Sequence, residues 1–170
     1  MHFTIINLCV KLLINNKLTI AFAESITAGR LTYDFSTIDN SAAFLKGGIV
    51  CFSNETKDQL LKIPAELKKK VNYSSLEATE DMARGLARII PTANIHVGVN
   101  GSNLPGDSEV IGDQTGTIYI CALLNSEILF SREFQFDGTK EDIINQTIIH
   151  VAYFLRHYLE NKQIQLNYTA

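Results

Sequence analysis

The run Ala23-Glu24-Ser25-Ile26-Thr27-Ala28-Gly29 sets a hydroxyl where an apolar, strand-like segment gives way to a helix-like one. At such a junction a side chain faces solvent beside the free N–H groups and positive dipole end of the helix, where an anion or a developing oxyanion is stabilised. Ser25 is therefore a candidate nucleophile. The same local pattern suits a plain helix cap, since Ser and Thr are favoured there, so Ser25 and Thr27 carry both readings.

A serine nucleophile needs a base, and no histidine lies in a motif-like setting near Ser25. Lysine serves when its ammonium is desolvated or set near other positive charge, because either effect lowers its pKa and frees a neutral amine. Lys57 falls one turn after Ser53-Asn54, at the end of a glycine-containing apolar segment. That is the same kind of strand-to-helix edge as at Ser25, and if the two strands are neighbours both edges face one crevice. A solvated helix lysine is the competing account. The pair Gly47-Gly48 suggests a bulge or the close approach of a ligand or another backbone, with tight packing against a neighbour as the alternative.

Other familiar sites are absent. There is no GxGxxG after a strand, no GxxxxGK[ST], no GxSxG elbow and no HExxH. His150 and His157 lie seven apart and could share a helix face, but no third ligand stands at useful spacing. No metal and no dinucleotide cofactor are expected.

These residues need elements to position them. Ile5, Leu8, Leu12 and Leu13 predict an amphipathic helix over 3–14. A buried strand is expected over 18–23 and a helix from about 27 to 36, with Asp39-Asn40-Ser41 as a turn. An apolar strand over 44–52 leads to a short helix capped by Asn54, and Pro64 can open another helical turn. Ser74-Ser75-Leu76-Glu77 reads as a capping box for a helix carrying Met82, Leu86 and Ile89 and ended by Pro91. Ile95, Val97 and Val99 alternate as a strand that enters a polar loop over 100–114. Strands over 117–124 and 128–136 flank Asn125-Ser126-Glu127 as a hairpin, the second with Phe130, Phe134 and Phe136 on one side. Ile143, Thr147, Val151 and Leu155 mark a terminal helix over 140–161. The economical architecture is an α/β fold: a mixed β-sheet with helices packed on its faces, in one domain over residues 1–170.

With 170 residues, 46% apolar and 19% charged, the chain can fill one core. A net charge of −3 leaves no basic footprint, and Lys68-Lys69-Lys70 reads as a solvated helix face, so nucleic acid is not an expected partner. Cys9, Cys51 and Cys121 lie far apart in apolar surroundings without CxxC spacing, which points to buried thiols in a reducing compartment. The apolar start ending in Ala21-Phe22-Ala23 imitates a signal peptidase site, but Lys11 interrupts it and no early positive charge precedes it. No segment reaches the roughly 18 apolar residues of a membrane span. A cytoplasmic protein without membrane contact is expected.

Together these segments resemble the C-terminal domain family of CinA, the competence/damage-inducible proteins, whose characterised members are nicotinamide mononucleotide deamidases. The family pattern A-E-S-C-T-G-G is similar to residues 23–29. The next block, F-x-G-G-V-V-x-Y-S-N-x-x-K-x-x-L-L, resembles residues 44–61, with Gly47-Gly48, Phe52-Ser53-Asn54, Lys57 and Leu60-Leu61. A-V-S-x-E-x-A-x-x-M-A-x-G matches residues 73–85 approximately, and the likeness extends over about residues 5–160. It implies hydrolysis of the nicotinamide mononucleotide carboxamide to the acid and ammonia, with Ser25 attacking the amide carbon and Lys57 moving the proton. It further implies that backbone N–H groups near Thr27 and Gly29 hold the oxyanion or the phosphate. Gly48, Phe52, Asn54, Gly101 and Lys140 fall in the blocks expected to bind the substrate. A homo-oligomer is implied as well.

The chain departs from the pattern at several points. The tyrosine before Ser-Asn is Phe52 here, T-G-I-A-G-P becomes residues 97–102 with Val97 for threonine and Asn100 for alanine, and F-x-G-D-R becomes residues 136–140 with Lys140 in place of arginine. Lysine keeps the charge but lacks arginine's bidentate fork. A second reading follows: a catalytically inactive relative that binds a nucleotide-like ligand or a protein partner in the same crevice.

Overall fold

The computed structural model describes residues 2–62, 73–102, 105 and 115–168. Strands β1 (Ile20–Glu24), β2 (Leu45–Val50), β3 (Ile95–Ser102), β4 (Thr117–Leu124) and β5 (Glu127–Gln135) form one mixed sheet in the order β2-β1-β3-β4-β5. The first three neighbours are parallel, and β4 and β5 add antiparallel strands. The described helices are α1 (His2–Asn15), α2 (Arg30–Ser36), α3 (Asn54–Leu61), α4 (Leu76–Ile89) and α5 (Lys140–Tyr168). The turn expected to start at Pro64 and the run Lys68-Lys69-Lys70 lie outside the described residues.

Side-chain alternation sorts the sheet into two faces. Ile20 and Phe22 of β1, Ile95, Val97 and Val99 of β3 and Ile118, Ile120 and Ala122 of β4 join α1, α2 and α5 in the larger core. Ala21 and Ala23 of β1 turn the other way, toward Leu61 of α3 and Met82 and Leu86 of α4. Such runs, apolar on both faces, are what a parallel sheet covered by helices requires. The chain leaves β1 for β2 through α2 on one face and returns past β1 to β3 through α3 and α4 on the other. Connections that diverge in this way open a crevice beyond the carboxyl ends of β1 and β3.

Several element boundaries differ from those read in sequence. In α1 the buried stripe is Ile6, Cys9, Val10 and Leu13; of the expected set Leu13 is fully buried and Ile5 and Leu12 are half-buried against the same core, while Leu8 is 37% exposed because the helix packs against α5 along the neighbouring line. Ser75 caps α4 by accepting from the Ala78 N–H at 3.1 Å, so the Ser74/Glu77 box is displaced by one. Likewise Ser53, not Asn54, caps α3, accepting from the Thr56 N–H at 3.2 Å. The helix expected from residue 27 begins at Arg30, and β3 runs on through Ser102, pairing Asn100 with Tyr119 and Gly101 with Ile118 where a loop was expected. The hairpin turns on Asn125 and Ser126, both with positive φ of 50° and 71°, the twist that suits a two-residue connection. Among the described residues no helix is long and apolar enough to cross a membrane.

Helix α4 lies directly on β3 because Gly98 has no side chain. A Cβ there would come within 2.5 Å of the Thr79 carbonyl oxygen and 3.2 Å of the Ala83 nitrogen, both backbone atoms. Gly98→Ala is expected to lower unfolding stability by about 1–3 kcal/mol, read by urea denaturation.

Candidate active site

Strand β1 ends in Glu24, and the chain then turns sharply into α2. The Ser25 N–H donates to the Val99 carbonyl at 3.0 Å, carrying the β1–β3 pairing one residue beyond the strand, and the Ala28 N–H closes the turn on the Ser25 carbonyl at 3.1 Å. Ala28 and Gly29 are both left-handed, with φ of 48° and 93°. For Ala28 that conformation costs roughly 1–2 kcal/mol, because its Cβ crowds the following carbonyl.

The turn is held by the Glu24 carboxylate, which is fully buried on the α2 side of the sheet. Its Oε2 accepts from the Thr27 hydroxyl at 2.7 Å and from the N–H groups of Gly29 and Leu31, each at 3.0 Å. Its Oε1 accepts from the Thr32 N–H at 2.8 Å and the Thr32 hydroxyl at 2.5 Å. A charge belonging to the chain therefore fills the start of α2, where an external anion was expected. Neither Ser25 nor Thr27 caps the helix. The Thr27 hydroxyl and the Gly29 N–H both point to Glu24, and the N–H groups of the turn without a partner among the described residues are those of Ile26 and Thr27.

Glu24 also explains Gly48. A Cβ at Gly48 would collide with the Thr32 hydroxyl that Glu24 holds, so close packing accounts for this glycine. The expected bulge is present as well: Ile20 pairs with Leu45 and Ala21 with Gly47, leaving Lys46 as the extra residue.

Ser25 follows Ala21 and Ala23 in alternation, so it belongs to the face covered by α3 and α4, opposite Glu24. It is 5% exposed. Lys57, in the first turn of α3, is 3% exposed on the same face and donates from Nζ to Asn100 Oδ1 at 2.9 Å. β3 pairs beside β1 with Glu24 opposite Val99, so Asn100 is the residue level with Ser25. Strands β1 and β2 are neighbours, as the crevice argument required, and the elements bring Ser25 and Lys57 to one side of one sheet edge. Among the described residues no carboxylate pairs with Lys57. Burial lowers its pKa below the ordinary 10.5, offset in part by the neighbouring Cys51. The Cys51 thiol is itself pushed up to about 11, chiefly by burial.

Asn100, in a stretch expected to be loop, is the hydrogen-bond acceptor of Lys57. Its phase was legible: continuing the alternation of Ile95, Val97 and Val99 puts it with His96 and Gly98 on the opposite face. Its Nδ2 donates to the Tyr73 carbonyl at 2.5 Å, while the Tyr73 hydroxyl donates to both Asp58 carboxylate oxygens at 3.0 and 3.1 Å. The Ser74 hydroxyl donates to the Gly101 carbonyl at 3.2 Å. The beginning of α4, helix α3 and strand β3 are thus tied together around Lys57.

The remaining expected positions scatter. Gly101 has no room for a Cβ, which would meet Ile26 Cδ1 at 2.6 Å, so it backs the Ser25 turn. Phe52 is 63% exposed and Asn54 is exposed, both between β2 and the body of α3. Lys140 is exposed at the first residue of α5, whose start is drawn to α2 by Arg30, which pairs with Asp34 and Glu141 at 3.1 Å each. Val97 is fully buried in the larger core, on the face away from Ser25. Among the described residues no group of three or more His, Cys, Asp or Glu side chains could hold a metal ion.

This fold and this strand-edge site define an α/β domain with a serine and a buried lysine at one sheet edge. Residues 2–159 match the CinA C-terminal domain, and the chain belongs to that family. It is 31% identical over 152 residues to a competence-damage inducible protein of Desulforamulus reducens, covering 89% of this chain and 36% of that protein. It is 30% identical over 138 residues to a CinA-like protein of Flavobacterium psychrophilum, covering 81% of this chain and 32% of that one. The chain therefore spans about a third of the length of these curated relatives. The crystal structure of a CinA superfamily protein from Klebsiella pneumoniae shares the fold, with a TM-score of 0.87 at 23% identity over 95% of this chain and 99% of that one.

Two outcomes follow from this geometry. Glu24→Gln turns an amide toward donors that need an acceptor, and a loss of about 3 kcal/mol or more is expected in urea unfolding. Lys57 has a depressed folded pKa, so its charge opposes folding at pH values below that pKa. The penalty fades as pH rises from there toward 10.5. The stability of the native chain relative to Lys57→Met should accordingly improve between pH 7 and about 10, measured by denaturation at each pH.

Proposed function

We propose that this chain is an amidohydrolase of the nicotinamide mononucleotide deamidase type, with a Ser25–Lys57 pair as its catalytic centre. The observation that carries this reading is the lysine: a buried amine with no carboxylate partner among the described residues, on the sheet face and at the strand edge that Ser25 occupies. Desolvation without a counter-charge is what a lysine base needs near neutral pH.

In this mechanism neutral Lys57 takes the Ser25 hydroxyl proton as Oγ bonds to the carboxamide carbon. The oxyanion is assigned to the N–H groups of Ile26 and Thr27, which have no partner among the described residues and take the role first expected near Thr27 and Gly29. Lys57 then protonates the nitrogen, the carbon–nitrogen bond breaks and ammonia leaves. A water molecule, losing its proton to Lys57, attacks the acyl ester and restores Ser25 with release of the acid. No cofactor is needed. The nucleotide portion is assigned to Lys140, Phe52 and Asn54, and assembly into a homo-oligomer accords with the family resemblance.

The exposed Phe52 favours the second reading, binding without turnover, because it offers a stacking surface where the family pattern has a hydroxyl. The two separate in one assay. Purified chain incubated with nicotinamide mononucleotide should release ammonia and the acid, and Ser25→Ala should reduce kcat by at least about 10³-fold with binding retained. Full ammonia release by Ser25→Ala removes the mechanism, and binding without turnover by the native chain establishes the second reading.

A further inference from the structure

Resting on the Ser25–Lys57 reading, we infer that Asn100 is a positioning residue, which fixes the Lys57 amine by one hydrogen bond and leaves its lone pair for the Ser25 proton. The orientation of the Asn100 amide is forced. Its partner at Tyr73 is a backbone carbonyl, which only accepts, so Nδ2 faces Tyr73 and Oδ1 faces Lys57. Tyr73 is in turn anchored through its hydroxyl to Asp58.

A neutral amine has two hydrogens and one lone pair. Binding one hydrogen to Oδ1 stops free rotation about the Cε–Nζ bond and restricts the directions in which the lone pair points. The acceptor must also be uncharged, since a carboxylate at 2.9 Å would hold the third proton on the lysine and disable it as a base.

The charged and titratable groups around Lys57 fit this account. On α3 Asp58 is engaged by Tyr73 and Glu55 is exposed. On β1 the Glu24 carboxylate is committed to α2 across the sheet. On α4 Glu77 is exposed, while Glu80 and Asp81 are half-buried, Asp81 acting with Arg84 and Arg88. Just past the end of β2 the Cys51 thiol acts on the lysine charge.

The test follows Lys57 directly, by carbon NMR of chain labelled at lysine Cε, beside the pH profile of ammonia release from nicotinamide mononucleotide. In Asn100→Ala the Lys57 titration midpoint should fall by roughly one unit, since an acceptor favouring the ammonium is gone. In Asn100→Asp it should rise by about 1–3 units. The acid limb of kcat should move in the same two opposite directions, with kcat at its optimum down on the order of 10 to 100-fold in Asn100→Ala and KM little changed. If Asn100→Ala does not fold, Asn100→Ser, whose hydroxyl is too short to reach the amine, carries the same expectation.

Midpoints that stay put, or that both move in one direction, overturn the inference by reducing Asn100 to a structural tie. Opposite midpoint shifts with unaltered rates overturn its part in the reaction. Opposite shifts in a chain whose native form releases no ammonia support Asn100 as the group that sets the Lys57 proton affinity, and sink the amidohydrolase reading alone.

Discussion

The structure depends on one buried carboxylate. Glu24 stands at the end of a strand, in the apolar interior between sheet and helix, and its isolation there would cost several kcal/mol. Five donors from the following turn and helix offset that cost by converging on its two oxygens. Because those donors belong to residues 27–32, satisfying the charge also dictates the shape of the segment between β1 and α2. The left-handed pair Ala28-Gly29, the glycine at position 48 beneath Thr32 and the direction of the Ser25 side chain follow from the same set of bonds.

Charge on one face is then matched by its near absence on the other. Lys57 is buried with a neutral amide as its hydrogen-bond acceptor, whereas Glu24 has the helix terminus to itself. The sheet separates the two groups by alternation at adjacent positions, Glu24 facing α2 and Ser25 facing α3 and α4. An electrostatic attraction that would quench the lysine is thereby spent elsewhere. By the same alternation β3 presents Val97 to the larger core and Asn100 to the Ser25 side.

Much of this was legible in the chain. The alternation of short apolar runs with helical periodicity predicted a mixed sheet with helices on its faces, and the sheet is of that kind. The strand-edge settings of Ser25 and Lys57 were visible from local composition, and the conditional argument that neighbouring strands would bring them to one crevice met its condition in the pairing of β1 with β2. Boundaries slipped where two adjacent residues could do the same job, as with Ser53 against Asn54 and Ser75 against Ser74. Asn100 escaped because polar residues are read as loop, although a strand can carry one wherever the opposite helix supplies a partner. The role of Glu24 is not legible in the motif, for its partners lie up to eight residues away and meet only when the turn closes.

By itself the sequence determined the class of fold and the family, and it singled out Ser25 and Lys57 as candidates, because these rest on residue type and short-range periodicity. Which N–H groups of the Ser25 turn lack a partner among the described residues, which glycine is needed for packing, and which group accepts from the lysine were decided by tertiary structure. A hydrogen bond between Lys57 and Asn100 joins residues 43 positions apart. No local pattern encodes such a contact; it exists only because three parallel strands and two helices bring both ends to one buried edge, where an unpartnered polar group is costly.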